Sequence, residues 1–140
     1  MTKLKYLILA LIFCSCTQGV KMKSINLGSL FHDNNSKVWV LDQVIVGKEN
    51  FAPKENKEKD IIVFYSNGKC LFHSIKALGE VAGKKGEYSV YSNEREMRFY
   101  FNKEVWDFKI KELEEDRVVL VPSKESDLRY TLILRPFPEL

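Results

Sequence analysis

Between residues 37 and 135 the chain falls into eight short runs rich in Val, Ile, Phe, Tyr and Trp, at 37–46, 60–66, 69–75, 87–91, 96–101, 105–111, 117–121 and 129–135. Gly, Asn, Asp, Ser or Lys-Glu stretches interrupt them, which is the pattern of pleated, half-buried strands separated by turns. No apolar pattern persists at helical spacing for long enough to demand a long helix. The predicted fold is therefore all-β, and 140 residues leave room for one such domain. Eight consecutive antiparallel strands joined by short links suit an up-and-down barrel, because closure removes the edge strands that an open sheet exposes. A β-sandwich is the alternative architecture.

Period-two alternation assigns faces in the later strands. Met97, Phe99 and Phe101 oppose Arg98 and Tyr100; Trp106, Phe108 and Ile110 oppose Asp107, Lys109 and Lys111; Tyr130, Leu132 and Leu134 oppose Arg129, Thr131 and Arg135. The first member of each comparison is expected to point inward. The first two strands are apolar on both faces, which leaves their parity open, and the polar segment before residue 37 is a candidate cover for their outer side. Asn67-Gly68 is the strongest turn signal and is read as a two-residue type I′ hairpin with positive φ at both positions.

In an up-and-down barrel the first, third, fifth and seventh links share one end. The two longest links, 47–59 and 76–86, are among them, so that end is the candidate mouth. The mixed charges of residues 54–60 read as a solvated loop, and Gly79, Gly83 and Gly86 around Lys84-Lys85 as a flexible one without phosphate-binding spacing.

The N-terminus carries a second signal. Lys3 and Lys5 precede an apolar stretch from Tyr6 to Phe13, followed by Cys14-Ser15-Cys16, which has the n-region, h-region and small-residue cleavage site of an exported protein. Ser15-Cys16 resembles the lipobox of bacterial lipoproteins, in which a small residue precedes a Cys that is acylated and becomes the mature N-terminus. The resemblance implies a lipoprotein signal peptide over residues 1–15, a lipid such as palmitate on Cys16, and a tether over 16–36 that ends in a turn of helix. Several acyl chains hold a protein firmly on a membrane, where one chain binds marginally. No acidic residue follows Cys16 within Thr17-Gln18-Gly19-Val20-Lys21, which by the same resemblance points to the periplasmic face of the outer membrane.

The pattern over residues 37–136 resembles the small lipocalin-like lipoproteins of bacteria: Trp39 early in the first strand, a long first loop, Phe64 three residues before Asn67-Gly68, Trp106 in the sixth strand, and a last strand ending near Arg135. Lys37 stands where classical lipocalins have the Gly of their Gly-x-Trp signature. The resemblance implies a lipocalin-like β-barrel domain over 37–140 and a small apolar ligand in its interior. Candidate ligand-lining residues are Phe99, Phe101, Trp106, Phe108 and Tyr130, and the same aromatics suit a barrel filled by its own side chains.

Little chemistry is expected. Once Lys3 and Lys5 leave with the leader, 20 basic residues face 19 acidic ones, too even a balance for a nucleic-acid partner. Cys70 is then the sole unmodified thiol, so no intramolecular disulfide forms. His73 lies three residues from Cys70, on the opposite strand face, and His32 is in the tether, so neither a metal nor a cofactor is expected. No Gly-x-Ser-x-Gly elbow is present, and Glu112, Glu114, Glu115 and Asp116 read as a solvated hairpin tip. The expectation is a non-enzymatic, lipid-anchored envelope protein that binds a small apolar ligand. The alternative is an accessory or assembly lipoprotein that contacts an envelope protein machine such as a secretion system.

The lipobox reading has a direct consequence. Cys16→Ser is expected to move the protein from the membrane to soluble or secreted fractions and to abolish palmitate labelling; a variant that stays acylated and membrane-bound removes the lipoprotein assignment.

Overall fold

A computed structural model describes residues 26–138. The leader, Cys16 and the start of the tether lie outside the described residues. A short helix, α1 (Gly28–His32), precedes nine strands: β1 (Ser36–Val46), β2 (Glu49–Asn50), β3 (Asp60–Tyr65), β4 (Lys69–Ser74), β5 (Lys84–Tyr91), β6 (Glu96–Phe101), β7 (Glu104–Leu113), β8 (Val118–Pro122) and β9 (Thr131–Pro136). Neighbouring strands pair antiparallel in the order β1-β3-β4-β5-β6-β7-β8-β9, and β9 pairs again with β1. The result is a closed eight-stranded antiparallel up-and-down barrel, with β2 a two-residue hairpin folded back on the end of β1. Closure runs from Trp39↔Pro136 to Ile45↔Thr131 and passes a bulge between Leu41 and Gln43. A second bulge interrupts β7 between Ile110 and Glu112. Both lie in the longest strands, where extra twist lets a strand follow the curved wall.

α1 ends where Asp33 takes the left-handed conformation at φ 49 and donates its N–H to the Ser29 carbonyl. Asp tolerates this region better than most side chains. The helix sits at the end of the barrel opposite the long links, with Phe31 buried against Trp39 and Phe64. The Trp39 indole N–H donates to the Phe31 carbonyl at 3.0 Å, so the one polar atom of a fully buried Trp is satisfied by the plug itself. Leu27 N–H donates to Ser92 Oγ at 3.1 Å, fixing the plug to the β5–β6 link.

From this plug a continuous series of aromatic contacts climbs the interior. Phe31 meets Phe64 at 5.2 Å between ring centroids, Phe64 meets Phe99 at 5.9 Å, Phe99 meets Phe72 at 5.8 Å, and Phe72 meets Trp106 at 5.9 Å. Most of these pairs are edge-on or tilted, the arrangement that suits ring quadrupoles. Met97, Ile110, Val118, Leu120 and Leu134 fill the space between them.

The parity left open by the sequence is now resolved. In β1 and β3, Trp39, Ile62 and Phe64 join the interior. Val40, Ile61 and Val63 form a second cluster on the outer wall, with Val38, Leu71 and Ile75 packed against it. Among the described residues, the cover over this outer cluster comes from Ile75 and from a small concavity's other walls at Asn56, Phe137 and Pro138. The described part of the tether, α1, goes into the barrel end instead, because Phe31 finds there a fully apolar site.

Three local expectations are corrected. β5 begins at Lys84, so Gly86 lies in a strand, where a Cβ would collide with the Phe101 ring. Glycine at 86 is thus a packing requirement of Phe101. The Asn67-Gly68 hairpin is a three-residue turn, Ser66 to Gly68, in which Gly68 N–H donates to the Tyr65 carbonyl at 3.2 Å and Gly68 has φ 84 while Asn67 keeps negative φ. This is a type I turn closed by a left-handed Gly. Asn67 contributes its side-chain oxygen, which accepts the Lys69 N–H at 3.1 Å. Last, β9 starts at Thr131, one residue beyond Tyr130.

The turn chemistry therefore divides unevenly. Gly68→Ala is expected to cost about 2 kcal/mol, as for a side chain forced to positive φ, whereas Asn67→Ala loses one exposed hydrogen bond and about 1 kcal/mol or less. Urea unfolding of both variants checks this; equal losses overturn the turn assignment.

Candidate functional site

At the end opposite α1 the interior is not filled. An open cavity of about 570 Å³ occupies the barrel mouth, within the usual range of roughly 300–1,000 Å³ for small-molecule sites. Its walls are apolar and come from every side of the barrel: Leu41 and Val44 from β1, Phe72 from β4, Trp106 and Phe108 from β7, Leu132 from β9, and Leu128 and Tyr130 from the β8–β9 link. Phe108 is buried and forms part of the floor, while Tyr130 is 47% exposed at the rim. Two carboxylates, Asp60 at the start of β3 and Glu104 at the start of β7, complete the lining.

The five aromatics expected to line a ligand site thus occupy two levels. Trp106, Phe108 and Tyr130 line the cavity. Phe99 and Phe101 are buried in the packed interior beneath and beside it, with Phe101 edge-on to Phe72 at 4.9 Å and tilted against Trp106 at 5.0 Å. The sequence reading passed over Phe72, although it lies two residues from Cys70 and so on the same, inward face. It also passed over Asp60 and Glu104, which are exposed at the starts of their strands and meet the cavity at its rim.

Polar contacts outside the barrel hold the long links that frame the mouth. Lys59, buried at the end of the first link, donates to both Asp42 Oδ1 and the Asp42 carbonyl at 2.9 Å. Arg135 donates to the same carboxylate at 3.0 Å and to Asn56 Oδ1 at 2.6 Å. Partial burial disfavours the Asp42 carboxylate, but hydrogen bonds from Lys59 and Arg135 outweigh this and hold its pKa below the usual value. The third link is held by His73, whose ring nitrogens face the Ser74 carbonyl at 2.7 Å and the Val81 carbonyl at 2.8 Å.

Asp60 is placed differently. It forms no ion pair among the described residues, and loss of water around it in the cavity wall raises its pKa, against a smaller opposing pull from His73. Cys70 is buried, and desolvation pushes its thiol up to about 12, which leaves little nucleophilic thiolate at neutral pH. No group of three His, Cys, Asp or Glu side chains is arranged to hold a metal among the described residues. A larger concavity, about 910 Å³, lies on the outside at the α1 end, between Leu30, Lys37, Glu115 and Phe137. It is a shallow surface junction beside the chain termini of the described region, not a chamber of the barrel.

No protein-family model, curated protein or solved structure matches the chain. The class is therefore defined by the fold and the cavity: a closed eight-stranded up-and-down barrel, plugged at one end and open at the other, consistent with a lipocalin-like barrel.

Asp60 has a consequence for stability. An acid whose folded pKa is raised contributes nothing where both states are protonated, and destabilises the fold once pH rises through the folded value. Asp60→Asn is expected to raise the unfolding midpoint only slightly at neutral pH, because the exposed side chain stays screened by water, with the difference from the parent vanishing below the ordinary carboxylate range. A variant less stable at every pH overturns the assignment of Asp60 as an uncompensated carboxylate.

Proposed function

We propose that this protein is a non-enzymatic, lipid-anchored component of a bacterial cell envelope that takes a small apolar ligand into the mouth of its barrel. The observation that carries the reading is the cavity itself. Eight of its ten lining residues are apolar or aromatic, and they converge from four strands and one link on one open chamber above a packed floor. An apolar guest seated there loses contact with water where it meets these walls, and removal of apolar area from water drives binding at roughly 25 cal/mol per Å². The anchoring half of the reading rests on the leader and Ser15-Cys16. Because α1 plugs the far end, the described chain enters the barrel from the side opposite the mouth. That geometry supports an opening that faces away from the membrane, on the periplasmic face of the outer membrane.

A second reading, an accessory lipoprotein that docks on an envelope protein machine, is favoured by one feature. Phe51 in the first link is 63% exposed and Val81 in the third link is 65% exposed, both at the mouth end. Exposed apolar side chains on paired loops are a feature of protein contact sites.

Native mass spectrometry of the soluble domain purified from the expressing cells separates the two. A co-purifying small molecule that is lost from a Leu132→Trp variant, which fills the cavity, is expected for the ligand reading. A bare polypeptide mass, together with cross-linking of residue 51 to one envelope protein in intact cells, displaces it in favour of docking.

A further inference from the structure

We infer that the link between β4 and β5, residues 75–83, is a proton-sensitive strap on the barrel mouth: the imidazolium form of His73 fastens it to the wall, and loss of that proton releases one of the two bonds the ring makes. The inference concerns the frame of the mouth and stands independently of what enters it.

The geometry is an acceptor on each side of one ring. His73 lies on the outer face of β4, paired across the sheet with Ile61. Its Nδ1 is 2.7 Å from the Ser74 carbonyl oxygen and its Nε2 is 2.8 Å from that of Val81. A carbonyl oxygen only accepts, and a neutral imidazole has a single N–H to give. The neutral ring therefore satisfies one carbonyl and turns the lone pair of its other nitrogen toward the second. The imidazolium donates to both, and separations of 2.7 and 2.8 Å suit charge-assisted bonds. His32, the other histidine of the chain, has the opposite chemistry: its Nδ1 accepts the Asn34 N–H at 2.9 Å, as only an unprotonated nitrogen does.

The strap depends on this contact. Its first residue is tied to β3, where the Ile75 N–H donates to the Lys59 carbonyl at 3.1 Å. Its middle folds on itself, with the Leu78 N–H bonded to the Ile75 carbonyl and the Glu80 and Val81 N–H groups to that of Ala77. Beyond that fold, the Val81 carbonyl meets the wall through the His73 ring. Gly83 then passes directly over the imidazole: a Cβ there would lie 2.7 Å from His73 Cδ2 and 2.8 Å from the Phe72 carbonyl oxygen. The chain is thus laid against the ring with no side chain between them.

The charged groups on the elements around the ring are Lys59 and Asp60 at the start of β3, Lys76 and Glu80 in the strap, and Lys84 and Lys85 at the start of β5. Asp60 and His73 attract each other, which favours the charged ring. Lys59 is engaged by Asp42, and the Lys84 ammonium lies over the Phe101 and Trp106 rings. Lys76, Glu80 and Lys85 form no ion pair among the described residues. Closing the strap onto the ring takes up a proton, so acid favours the closed form and rising pH favours the open one.

Hydrogen exchange at the Leu78, Glu80 and Val81 amides of the purified protein, corrected for the intrinsic pH dependence of exchange, reads the strap directly. Their protection is expected to fall about three- to tenfold between about pH 5.5 and 8, where histidine ordinarily changes charge, while that of Val119 and Leu120 in β8 holds. In His73→Phe, protection is expected to be low and the same across this range. His73→Gln, which keeps a donor that does not titrate, is expected to give an intermediate and equally flat profile, and carries the test if the Phe variant does not fold. His32→Gln is expected to keep the parent's profile. A parent profile that is flat or rises with pH, or a fall that survives in a folded His73 variant, overturns the inference. A fall that disappears in His32→Gln assigns the effect to the plug and overturns it equally.

Discussion

The seam between β1 and β9 is the constraint on which the remaining structure depends. An open sheet of eight strands would leave one edge of β1 and one of β9 with unpaired backbone groups, and such edges template association with other chains. Pairing Val40 through Ile45 with Arg135 through Thr131 removes both edges at once. β1 can serve two neighbours because it is eleven residues long and changes register at the bulge near Leu41 and Gln43. The same strand carries Trp39, whose indole reaches the Phe31 carbonyl, so the element that closes the wall also seats the plug at one end. With its walls sealed and one end stopped, the barrel has a single way in.

Much of this was legible in the residues because strand alternation is a direct record of facing. The inward sets of β6 and β7 follow from period two alone, and all of Met97, Phe99, Phe101, Phe108 and Ile110 are buried. Illegibility has specific causes. Ile61, Ile62, Val63 and Phe64 are apolar on both faces because the wall at β3 is covered on both sides, and alternation carries no parity where nothing is exposed. Gly86 looked like a loop residue because the feature that requires it, the Phe101 ring, lies on another strand. Asn67-Gly68 marked the right turn with the wrong geometry, since a left-handed Gly serves both two- and three-residue hairpins. For the site, the aromatics of β7 were readable, but Phe72, Asp60 and Glu104 join them only through barrel closure, which brings β3, β4 and β7 around one opening.

The interior is divided along its axis. Toward α1 the rings of Phe31, Trp39 and Phe64 interlock and leave no chamber, as close packing of a core requires. Toward the long links the inward positions carry smaller aliphatics, Leu41, Val44 and Leu132, among the rings of Phe72 and a half-buried Trp106. A barrel of this strand number has room to be filled throughout or to hold one small guest. This chain does the first in one half and the second in the other. The plug residues close one end by packing, while the open end keeps side chains that a packed core would exclude.

Asp60 is such a side chain. It continues the inward parity of Ile62 and Phe64 to the first position of β3, where an apolar residue would extend the wall and an Asn or Ser would accept solvent without charge. Instead a carboxylate stands where desolvation disfavours its ionised form, with His73 near enough to temper that cost but turned to the outer wall, where it holds Ser74 and Val81. Lys59, the adjacent residue in sequence, points outward and is wholly engaged by Asp42. Strand geometry separates these neighbours: two consecutive residues cannot face the same side of a pleated wall, so the Lys59 ammonium is withheld from the mouth by the same alternation that places Asp60 within it. The placement of Asp60 on the cavity side is thus a consequence of register, and a shift of one residue in β3 would exchange the two charges between the outer wall and the cavity.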